Sequence, residues 1–547
     1  MPGSTNQTLR PFLWRAERLH PEVEVVSRTH YGIERYDYAT YADRVTQLAN
    51  AITASGIGDG DRVATFCWNH HRHFETYFGV PNIGAQLHTI NPLLPDHHIE
   101  YIVEDAADKL FFVDPSLIGK LEGPATANAF DAVEQFVVMG TDVPETSLEP
   151  VTDHESFISD RSTDIEWPSV SEDQPAGMCY TSGTTGQPKG VEYTQQMLWA
   201  HTMGTLPDMG IGISQSDVVM PVVPMFHVNA WGLPFTTTAA GAKHVYPGPS
   251  PDPADLAFLI EEENVTISAG VPNVWMGLLE YGEGQAIDLT SLERIVIGGA
   301  AAPESVIQEY DETYNVDILH AWGMTEMSPI GTVSHTKSHM EDWDRDDIYG
   351  KRGKQGLIVP GLEMKVVDDQ GEEIPWNGDD FGELLVRGPW VTTEYFKRPA
   401  ANEEDFKDGW LKTGDVVTVD EEGYINIVDR EKDVIKSGGE WISSVELENS
   451  IMAHPDVSEA TVIGIPHEKW QERPVAFIVP GGDMSENAIE SEVLDMLRED
   501  YPKWWLPDEI LFIDEVPKTA TGKFSKKTLR EEYDDSSIVE GKAPERE

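Results

Sequence analysis

The segment at positions 180–190, YTSGTTGQPKG, combines residue types that can hold a polyphosphate. Its glycines allow sharp turns that point successive backbone N–H groups into one hollow, its hydroxyls add donors, and its lysine adds a mobile positive charge. The preceding residues 176–180 predict a short buried strand, so the loop is expected to leave a sheet edge, where nucleotide loops lie. The predicted phosphate-binding residues are Thr181, Ser182, Gly183, Thr184, Thr185, Gly186 and Lys189.

The spacing of this segment differs from the Walker pattern, which places four residues between its first glycine and Gly-Lys-Ser/Thr. Here Gly183 to Lys189 reads GTTGQPK. A surface turn rich in glycine and threonine would account for residues 183–186 alone, but it accounts poorly for the whole segment. The interpretation therefore depends on whether other nucleotide-binding segments follow it.

Three segments in the middle of the chain carry further candidate residues. A buried strand is followed at 224–232 by PMFHVNAWG, in which a single histidine is by itself more typical of packing than of catalysis. Residues 298–303, GGAAAP, have no side chain large enough to block a flat ring, although a tight strand-to-helix turn would look the same. Residues 320–329, HAWGMTEMSP, combine an aromatic ring with a hydroxyl and a carboxylate.

Three segments near the carboxyl end complete the set. Asp415 closes the run WLKTGD, and its carboxylate is suited to chelating two ribose hydroxyls. Residues 429–442 read DREKDVIKSGGEWI, in which paired glycines leave room for a thin ligand. From Lys518 to Arg530 there are five basic residues and no acidic one. Because the whole chain has a net charge of −57, this last stretch predicts an anionic partner.

Taken in order, these motifs resemble those of the adenylate-forming superfamily, which includes acyl-CoA synthetases, firefly luciferase and the adenylation domains of peptide synthetases. The resemblance covers nearly the whole chain. The segments PMFHVNAWG, HAWGMTE and SGGEWIS most resemble medium- and long-chain fatty-acyl-CoA synthetases, with methylmercaptopropionate–CoA ligases close by. The resemblance implies an AMP-forming ligase that converts a fatty acid and ATP to acyl-AMP and then transfers the acyl group to CoA.

The resemblance also implies roles on the nucleotide side. Trp322 would stack on adenine, Thr325 would bond the α-phosphate, and Glu326 would hold Mg²⁺. Magnesium bound to nucleotides takes one or two protein oxygens, so Glu326 aided by the hydroxyl of Thr181 is sufficient. The implied ATP- or AMP-binding residues outside the phosphate loop are Gly299, Ala300, Ala301, Trp322, Gly323, Asp415 and Arg430. The implied catalytic residues are Lys523, Thr325, Glu326 and His227.

On the acyl and CoA sides, the implied residues lie in three motifs. His227 and Trp231 would line the acyl pocket, and Lys523 would reach the carboxylate and the α-phosphate during adenylation. The carboxyl-terminal domain would rotate about a hinge at Lys432 between the two steps. The implied CoA-tunnel residues are Gly438, Gly439, Glu440 and Trp441. Mg²⁺ bound with ATP, CoA as co-substrate and a homodimeric assembly also follow from the resemblance.

The amino-acid composition limits which cellular compartments and which binding partners we expect. The 547 residues include 39 Lys and Arg against 96 Asp and Glu, a net charge of −57 that is spread along the chain. Such a chain is soluble where salt screens its self-repulsion, so we expect a salt-rich cytoplasm, as in haloarchaea. So acidic a surface argues against nucleic acid and anionic membranes as partners. The amino terminus has no continuous apolar core, and no apolar run reaches membrane-span length.

The elements that position these residues predict an α/β fold. Helical segments alternate with short apolar strands such as 62–67, 109–113, 217–223, 265–268 and 294–297. This alternation is typical of parallel sheets covered by helices. From about residue 357, Gly- and Asp-rich hairpins indicate a distorted β-barrel. We therefore predict a large amino-terminal domain over residues 1–431 and a small mobile α+β domain over residues 432–547.

Other interpretations remain open. The ligase could act on methylmercaptopropionate or on a short branched or aromatic acid. The chain could adenylate without CoA, as luciferase-like and carrier-loading enzymes do, or bind nucleotide without catalysis. Cys67, His70, His71 and His73 crowd together, but we interpret them as a strand end and a helix start capped by Asn69, not as a metal site.

Overall fold

The computed structural model describes residues 6–123, 129–181, 187–249, 251–368, 370–430, 433, 435–437, 440–467, 469–482, 484–518 and 524–535. The described residues group into two compact units. One unit takes in Met1–Gly183, Gln187–Met364 and Val386–Leu411, and the other includes Lys365–Leu385 and Lys412–Glu547.

A nine-stranded mixed sheet lies in the first unit. Its strands are β1 (Glu24–Thr29), β2 (Gly32–Asp37), β10 (Val218–Pro221), β11 (Lys243–Tyr246), β12 (Ile267–Gly270), β13 (Arg294–Ile297), β14 (Asp317–Gly323), β15 (Ile330–Val333) and β16 (Leu357–Ile358). Their order is β16-β15-β14-β13-β12-β10-β11-β1-β2. The strands from β14 to β1 run parallel, whereas β2, β15 and β16 pair antiparallel at the two ends. The parallel part places its strand ends together at one edge.

A seven-stranded sheet in the same unit has the order β7-β6-β5-β3-β4-β8-β9. Its strands are β3 (Arg62–Phe66), β4 (Gln86–Thr89), β5 (Leu110–Val113), β6 (Gln135–Val138), β7 (Val151–Asp153), β8 (Pro175–Tyr180) and β9 (Gly190–Thr194). All neighbours are parallel except β8 and β9. The strands β4 and β5 are buried along their whole length, and β5 is accordingly apolar throughout, whereas β4 carries buried polar side chains.

Two smaller sheets follow in the chain. The first has the order β17-β18-β20-β19, with β21 paired to β20. Its strands are β17 (Glu363–Val367), β18 (Phe381–Arg387), β19 (Phe406–Lys407), β20 (Trp410–Val419) and β21 (Ile425–Arg430). The second has the order β23-β22-β25-β24, with β26 paired to β25. Its strands are β22 (Ile435–Ser437), β23 (Glu440–Ile442), β24 (Val457–His467), β25 (Gln471–Pro480) and β26 (Glu509–Phe512).

Right-handed α-helices cover the sheets. They span Arg10–Leu19, Tyr38–Ala54, His71–Gly79, Asp96–Ala106, Ile118–Leu121, His154–Ile158, Gln195–Thr205, Leu233–Ala240, Pro253–Glu263, Pro272–Gly284, Glu304–Glu309, Arg345–Arg352, Pro399–Asp405, Ser444–Met452, Glu486–Asp500 and Lys526–Asp535. Side-chain caps fix several starts: Asp37 accepts the N–H of Thr40, and Thr194 accepts that of Met197. No helix within the described residues is both long and apolar enough to cross a membrane.

Apolar contacts between helices and sheets build the cores. In the first unit, Leu259 and Trp275 from two helices pack with Ile297 of β13 in one buried cluster. In the second unit, Leu447 and Ile489 from two helices pack with Val462 of β24. Each cluster buries one face of its helices against a sheet, which is what keeps the strand ends of that sheet in fixed positions.

The fold agrees with the α/β prediction, including a half-barrel and a small carboxyl-terminal part. The five strand predictions at 62–67, 109–113, 217–223, 265–268 and 294–297 correspond to β3, β5, β10, β12 and β13. The predicted helix cap at Asn69 is wrong, because His70 accepts the N–H of His73. The Asn69 amide instead donates to the carbonyls of Pro221 and Val223 at 2.9 Å. The division at residue 431 stays a prediction.

Candidate active site

The neck of the predicted phosphate loop is formed by Thr181 and Lys189. The N–H of Thr181 donates to the Lys189 carbonyl at 2.9 Å, and the N–H of Lys189 donates to Thr181 Oγ1 at 3.1 Å. These bonds continue the β8–β9 pairing and bring the two ends of the loop together. The predicted residues Ser182, Gly183, Thr184, Thr185 and Gly186 lie outside the described residues.

The side chain of Lys189 has two described contacts. Its Nζ lies 2.8 Å from Asp405 Oδ2 and 4.3 Å from the centre of the Tyr395 ring. The lysine side chain is 33% exposed and the aspartate 25% exposed, so the ion pair lies near solvent. An ammonium group in this position is held by charge and by the ring face together.

The turn after β13 carries Gly299, Ala300 and Ala301, the predicted nucleotide-binding residues on which the flat adenine ring would lie; we call this turn the shelf. Gly299 has φ 84°, a left-handed conformation that favours glycine. A Cβ on Gly298 would lie 2.9 Å from the Ala321 carbonyl oxygen and 3.3 Å from Trp231 Cη2. Any larger residue at 298 would therefore displace strand β14 or the indole. The shelf lies just past the carboxyl end of the buried parallel strand β13.

His320 on β14 fixes the far end of this shelf. Its Nε2 accepts the N–H of Ala302 at 3.4 Å, and its Nδ1–H donates to the Gly353 carbonyl at 2.9 Å. Burial lowers the pKa of His320 to about 4, so the imidazole is neutral near pH 7. A neutral ring can accept on one nitrogen and donate on the other, as both bonds require.

Thr325 and Glu326 lie in a single 3₁₀ turn, Thr325–Met327, just past β14. Tyr193 Oη donates to the Thr325 carbonyl at 2.8 Å, and the N–H of Thr392 donates to the Glu326 carbonyl at 2.8 Å. The Glu326 side chain accepts from Tyr395 Oη at 2.7 Å. Glu326 is only 6% exposed, and this hydrogen bond satisfies its buried carboxylate. Carboxylate oxygen is also the ligand type that Mg²⁺ prefers.

Trp322 and Gly323 complete this segment. Trp322 is buried, and a Cβ on Gly331 would lie 2.5 Å from its ring carbon Cζ3. The indole therefore rests against the backbone of β15, which only glycine allows at that position. A Cβ on Gly323 would lie 2.2 Å from the Pro329 carbonyl oxygen, so this glycine is also required by a close backbone approach. The adenine-stacking role of Trp322 stays a prediction.

His227 precedes a left-handed turn that ends with Trp231. Val228, Asn229, Ala230 and Trp231 have φ values of 44°, 57°, 48° and 55°. The half-buried His227 precedes this turn, and its N–H donates to the Pro224 carbonyl at 3.0 Å. Trp231 at the end of the turn reaches Gly298, so the predicted acyl-side tryptophan and the predicted adenine shelf are neighbours.

Buried polar contacts hold the left-handed turn in place. The hydroxyl of Thr89 donates to the carbonyl of Phe226, just before the turn, at 3.4 Å and lies 3.1 Å from the sulfur of Cys179, the penultimate residue of β8. Burial raises the pKa of the Cys179 thiol, so it stays protonated and serves as a polar contact. Gly232, at φ 76°, lies against the ring of His201. The turn is therefore fixed by residues that are distant in sequence.

Asp415 and Arg430 lie in the second unit, where they are paired directly across β20 and β21. Asp415 is buried, and its N–H donates to Thr413 Oγ1 at 3.1 Å. Glu440 and Trp441 form part of β23, which pairs with β22. The other predicted residues of this region, Lys432, Gly438, Gly439 and Lys523, lie outside the described residues.

Tyr395, Asp405 and Tyr193 were missed by the sequence interpretation. Tyr395 is separated from Glu326 by 69 residues and Asp405 from Lys189 by 216, so no local spacing links either pair. A tyrosine and an aspartate are also ordinary residues in their segment, TTEYFKRPAANEED. No signal in the sequence pointed to either of them.

Predicted ligand residues from both large sheets thus meet around the strand ends of one unit. This is the arrangement of α/β proteins that bind nucleotides beyond the carboxyl ends of their strands. The family model described as "AMP-binding enzyme" matches residues 12–396, and the one described as "AMP-binding enzyme C-terminal domain" matches residues 446–523. The chain belongs to the AMP-binding enzyme family.

Comparisons with individual proteins, by sequence and by structure, support this family assignment. The chain is 44% identical over 524 residues to a long-chain-fatty-acid–CoA ligase of Thermus thermophilus, with 95% of each chain covered. It is 42% identical over 523 residues to a 3-methylmercaptopropionyl-CoA ligase of Ruegeria pomeroyi, covering 95% of this chain and 96% of the relative. The crystal structure of an anthranilate CoA ligase in complex with anthranoyl-AMP matches with a TM-score of 0.86 and 26% identity, covering 97% and 98% of the two chains.

Proposed function

We propose that this protein is an AMP-forming acyl-CoA synthetase that activates a medium- or long-chain fatty acid. The supporting observation is that Lys189, Glu326 and the Gly298–Ala301 turn gather at strand ends within one compact unit. The 44% identity to a long-chain-fatty-acid–CoA ligase supports the choice of substrate. The substrates are Mg·ATP, a carboxylic acid and CoA.

In the first step, a carboxylate oxygen attacks the α-phosphorus of ATP, the bond to the β-phosphate oxygen breaks, and pyrophosphate leaves. Lys189, Thr325 and Lys523 place positive charge and a hydroxyl donor against the phosphates, where negative charge gathers. Glu326 and Thr181 supply oxygens to the magnesium ion that accompanies ATP. Trp322 and the Gly299–Ala301 shelf hold adenine, while Asp415 and Arg430 hold the ribose and phosphate.

In the second step, the CoA thiol attacks the carbonyl carbon of acyl-AMP and AMP leaves as a good leaving group. We propose that rotation of the carboxyl-terminal domain about Lys432 withdraws Lys523 and brings Gly438, Gly439, Glu440 and Trp441 to the pantetheine arm. His227 and Trp231 line the acyl side. We extend the proposal to a homodimer in a salt-rich cytoplasm, supported by the family resemblance and by the net charge of −57.

A second substrate is favoured by a specific observation, the 42% identity to a 3-methylmercaptopropionyl-CoA ligase. The test is a panel of acids (acetate, 3-methylmercaptopropionate, hexanoate, decanoate and palmitate) incubated with Mg·ATP and CoA in concentrated KCl. Mass spectrometry would quantify the CoA thioesters and AMP. We expect the highest kcat/KM for hexanoate or longer acids. A preference for 3-methylmercaptopropionate would move the assignment to that substrate, and acyl-AMP without thioester would indicate adenylation without CoA.

A further inference from the structure

One tyrosine connects two residues that the proposed function places on the nucleotide. Tyr395 Oη donates to Glu326 Oε1 at 2.7 Å, and the Tyr395 ring centre lies 4.3 Å from Lys189 Nζ. Lys189 also pairs with Asp405 at 2.8 Å. The four side chains form one continuous series from Asp405 through Lys189 and Tyr395 to Glu326.

Tyr395 is held in place by contacts to its backbone and to its ring. The side chain of Asn402 bonds the Tyr395 backbone twice, accepting its N–H at 2.7 Å and donating to its carbonyl at 3.1 Å. The ring of Phe406 packs edge-on against the phenol at 5.3 Å. The phenol is thereby held with its hydroxyl 2.7 Å from Glu326 Oε1, where it donates to the carboxylate.

Asp405 differs from Tyr395 in being close to solvent. It is the last residue of the helix Pro399–Asp405, and its ion pair with Lys189 is partly exposed. Partly exposed ion pairs are weak and exchange their partners readily. A polyphosphate carries more charge than one carboxylate and would compete for the same ammonium group.

We propose that Tyr395 is a positioning residue that fixes Glu326, and that Asp405 is a resting counter-ion from which the triphosphate draws Lys189. The proposal rests on the proposed function, since Mg·ATP is the competing anion. Because Asp405 both holds the lysine and repels phosphate, its charge weakens nucleotide binding. Tyr395 instead supports acyl-AMP formation, because a carboxylate bonded by a fixed phenol is held in one orientation.

The counter-ion role is tested with Asp405→Asn in the full chain. Titration with Mg·ATP and with inorganic pyrophosphate should give dissociation constants about two- to five-fold lower than those of the wild type, the range expected for one partly exposed ion pair. The matched control is Asp61→Asn, which removes an equal charge from the 2.6 Å pair with Lys109. It should leave both constants unchanged. Unchanged or weaker binding in Asp405→Asn would overturn the counter-ion role.

The positioning role is tested with Tyr395→Phe, which keeps the ring and removes the hydroxyl. Acyl-AMP formation should fall about ten-fold or more, as expected for a lost hydrogen bond to a buried charge, and should need more Mg²⁺ for half-saturation. Thioester formation from supplied acyl-AMP should stay near the wild-type rate. Tyr36→Phe, which removes a similar 3.1 Å bond to Glu75, is the control and should spare both steps.

The outcomes separate this inference from the proposed function. If Tyr395→Phe lost both half-reactions equally, or neither, while melting like the wild type, the positioning role would be wrong. A lower melting temperature with the same selective loss would still support it, because a general packing defect affects both half-reactions. Failure of the wild-type chain to bind Mg·ATP would instead contradict the proposed function.

Discussion

At the scale of single residues, the candidate site depends on buried polar groups that are kept in one protonation state. His320 must stay neutral to accept from Ala302 and donate to Gly353, and burial achieves this by lowering its pKa. Tyr395 must stay protonated to donate to Glu326, and burial raises its pKa. In both cases burial disfavours the charged form of the side chain. The neutral His320 can therefore accept and donate beside the shelf, and the neutral Tyr395 can donate to the Glu326 carboxylate.

The shelf histidine gives the protein a pH-dependent stability. The folded pKa of His320, about 4, lies below the unfolded value of about 6.5, so the unfolded chain binds more protons between these values. Stability should therefore fall as pH drops from 6.5 towards 4, with roughly 1 kcal/mol lost through this group by pH 5.5. Denaturant unfolding at pH 7.5 and 5.5 should show a smaller loss in His320→Asn. His97→Asn, at an exposed position, should keep the wild-type loss, and equal losses in all three proteins would contradict the assignment.

At the scale of elements, the left-handed turn at 228–231 is the least expected feature. Each of its four residues costs roughly 1–2 kcal/mol in this conformation, because Cβ approaches the following carbonyl. Groups from distant elements hold the segment on both sides of the turn: the Asn69 side chain bonds the backbone of Pro221 and Met225 before it, and the His201 ring lies against Gly232 after it. The turn places Trp231 beside the shelf. The strained backbone therefore lies next to the residue that we propose for selection of the acyl group.

Glycine substitution tests whether the turn is strained. Ala230→Gly removes the steric cost of the left-handed conformation, whereas Ala239→Gly makes the same change in the right-handed helix Leu233–Ala240. Both variants lose one buried methyl group. We expect Ala230→Gly to be the more stable of the two by about 1–2 kcal/mol in denaturant unfolding. Equal stabilities, or a less stable Ala230→Gly, would mean that the turn is not left-handed in solution.

Removal of the indole tests the acyl role of the same turn. Trp231→Ala takes away apolar surface that would pack on an acyl chain, where each buried methylene contributes about 0.8 kcal/mol. The ratio of kcat/KM for decanoate to that for acetate should therefore fall, while KM for ATP stays nearly unchanged because Trp322 is assigned to adenine. A uniform loss of activity with all acids, together with a lower melting temperature, would show that Trp231 is only a packing residue.

The elements also show what the sequence could and could not predict. Strands β3, β5, β10, β12 and β13 were predictable because each is a short apolar run between polar segments. The motifs singled out Thr325 and Glu326, but their place in a 3₁₀ turn just past β14 came from the structure, and their roles stay predictions. The left-handed turn was not predictable, because Val-Asn-Ala-Trp has no local preference for it and distant groups impose it. Tyr395 and Asp405 were missed for the same reason, since their contacts join segments far apart in the chain.

At the scale of the whole molecule, the most prominent feature is the excess of negative charge. If each of the 39 basic residues neutralised one of the 96 acidic residues, 96 − 39 = 57 acidic residues would stay uncompensated. Several basic residues already serve two acids, as Arg44 does with Glu75 and Glu155 and Arg72 with Glu34 and Glu155. The repulsion among the remaining carboxylates can be reduced only by ions from solution.

This balance predicts a salt requirement. The screening length is about 10 Å at 0.1 M salt and about 3 Å at 1 M, so molar salt suppresses repulsion between neighbouring surface acids. The melting temperature and activity should rise with KCl concentration. Sucrose at equal osmolality is the control, and it should raise the melting temperature less because it does not screen charge. A melting temperature that is independent of KCl would contradict the salt-adapted interpretation.

We propose above that the protein joins acids to CoA through an acyl adenylate. The most direct test of this proposal is fatty-acid-dependent exchange of labelled pyrophosphate into ATP, measured in concentrated KCl without CoA. We predict rapid exchange with decanoate in the wild type and none without acid. In Lys523→Ala, exchange should be lost while thioester formation from supplied decanoyl-AMP and CoA is retained. Absence of exchange in the wild type, or release of ADP and phosphate during thioester synthesis, would contradict the acyl-adenylate route.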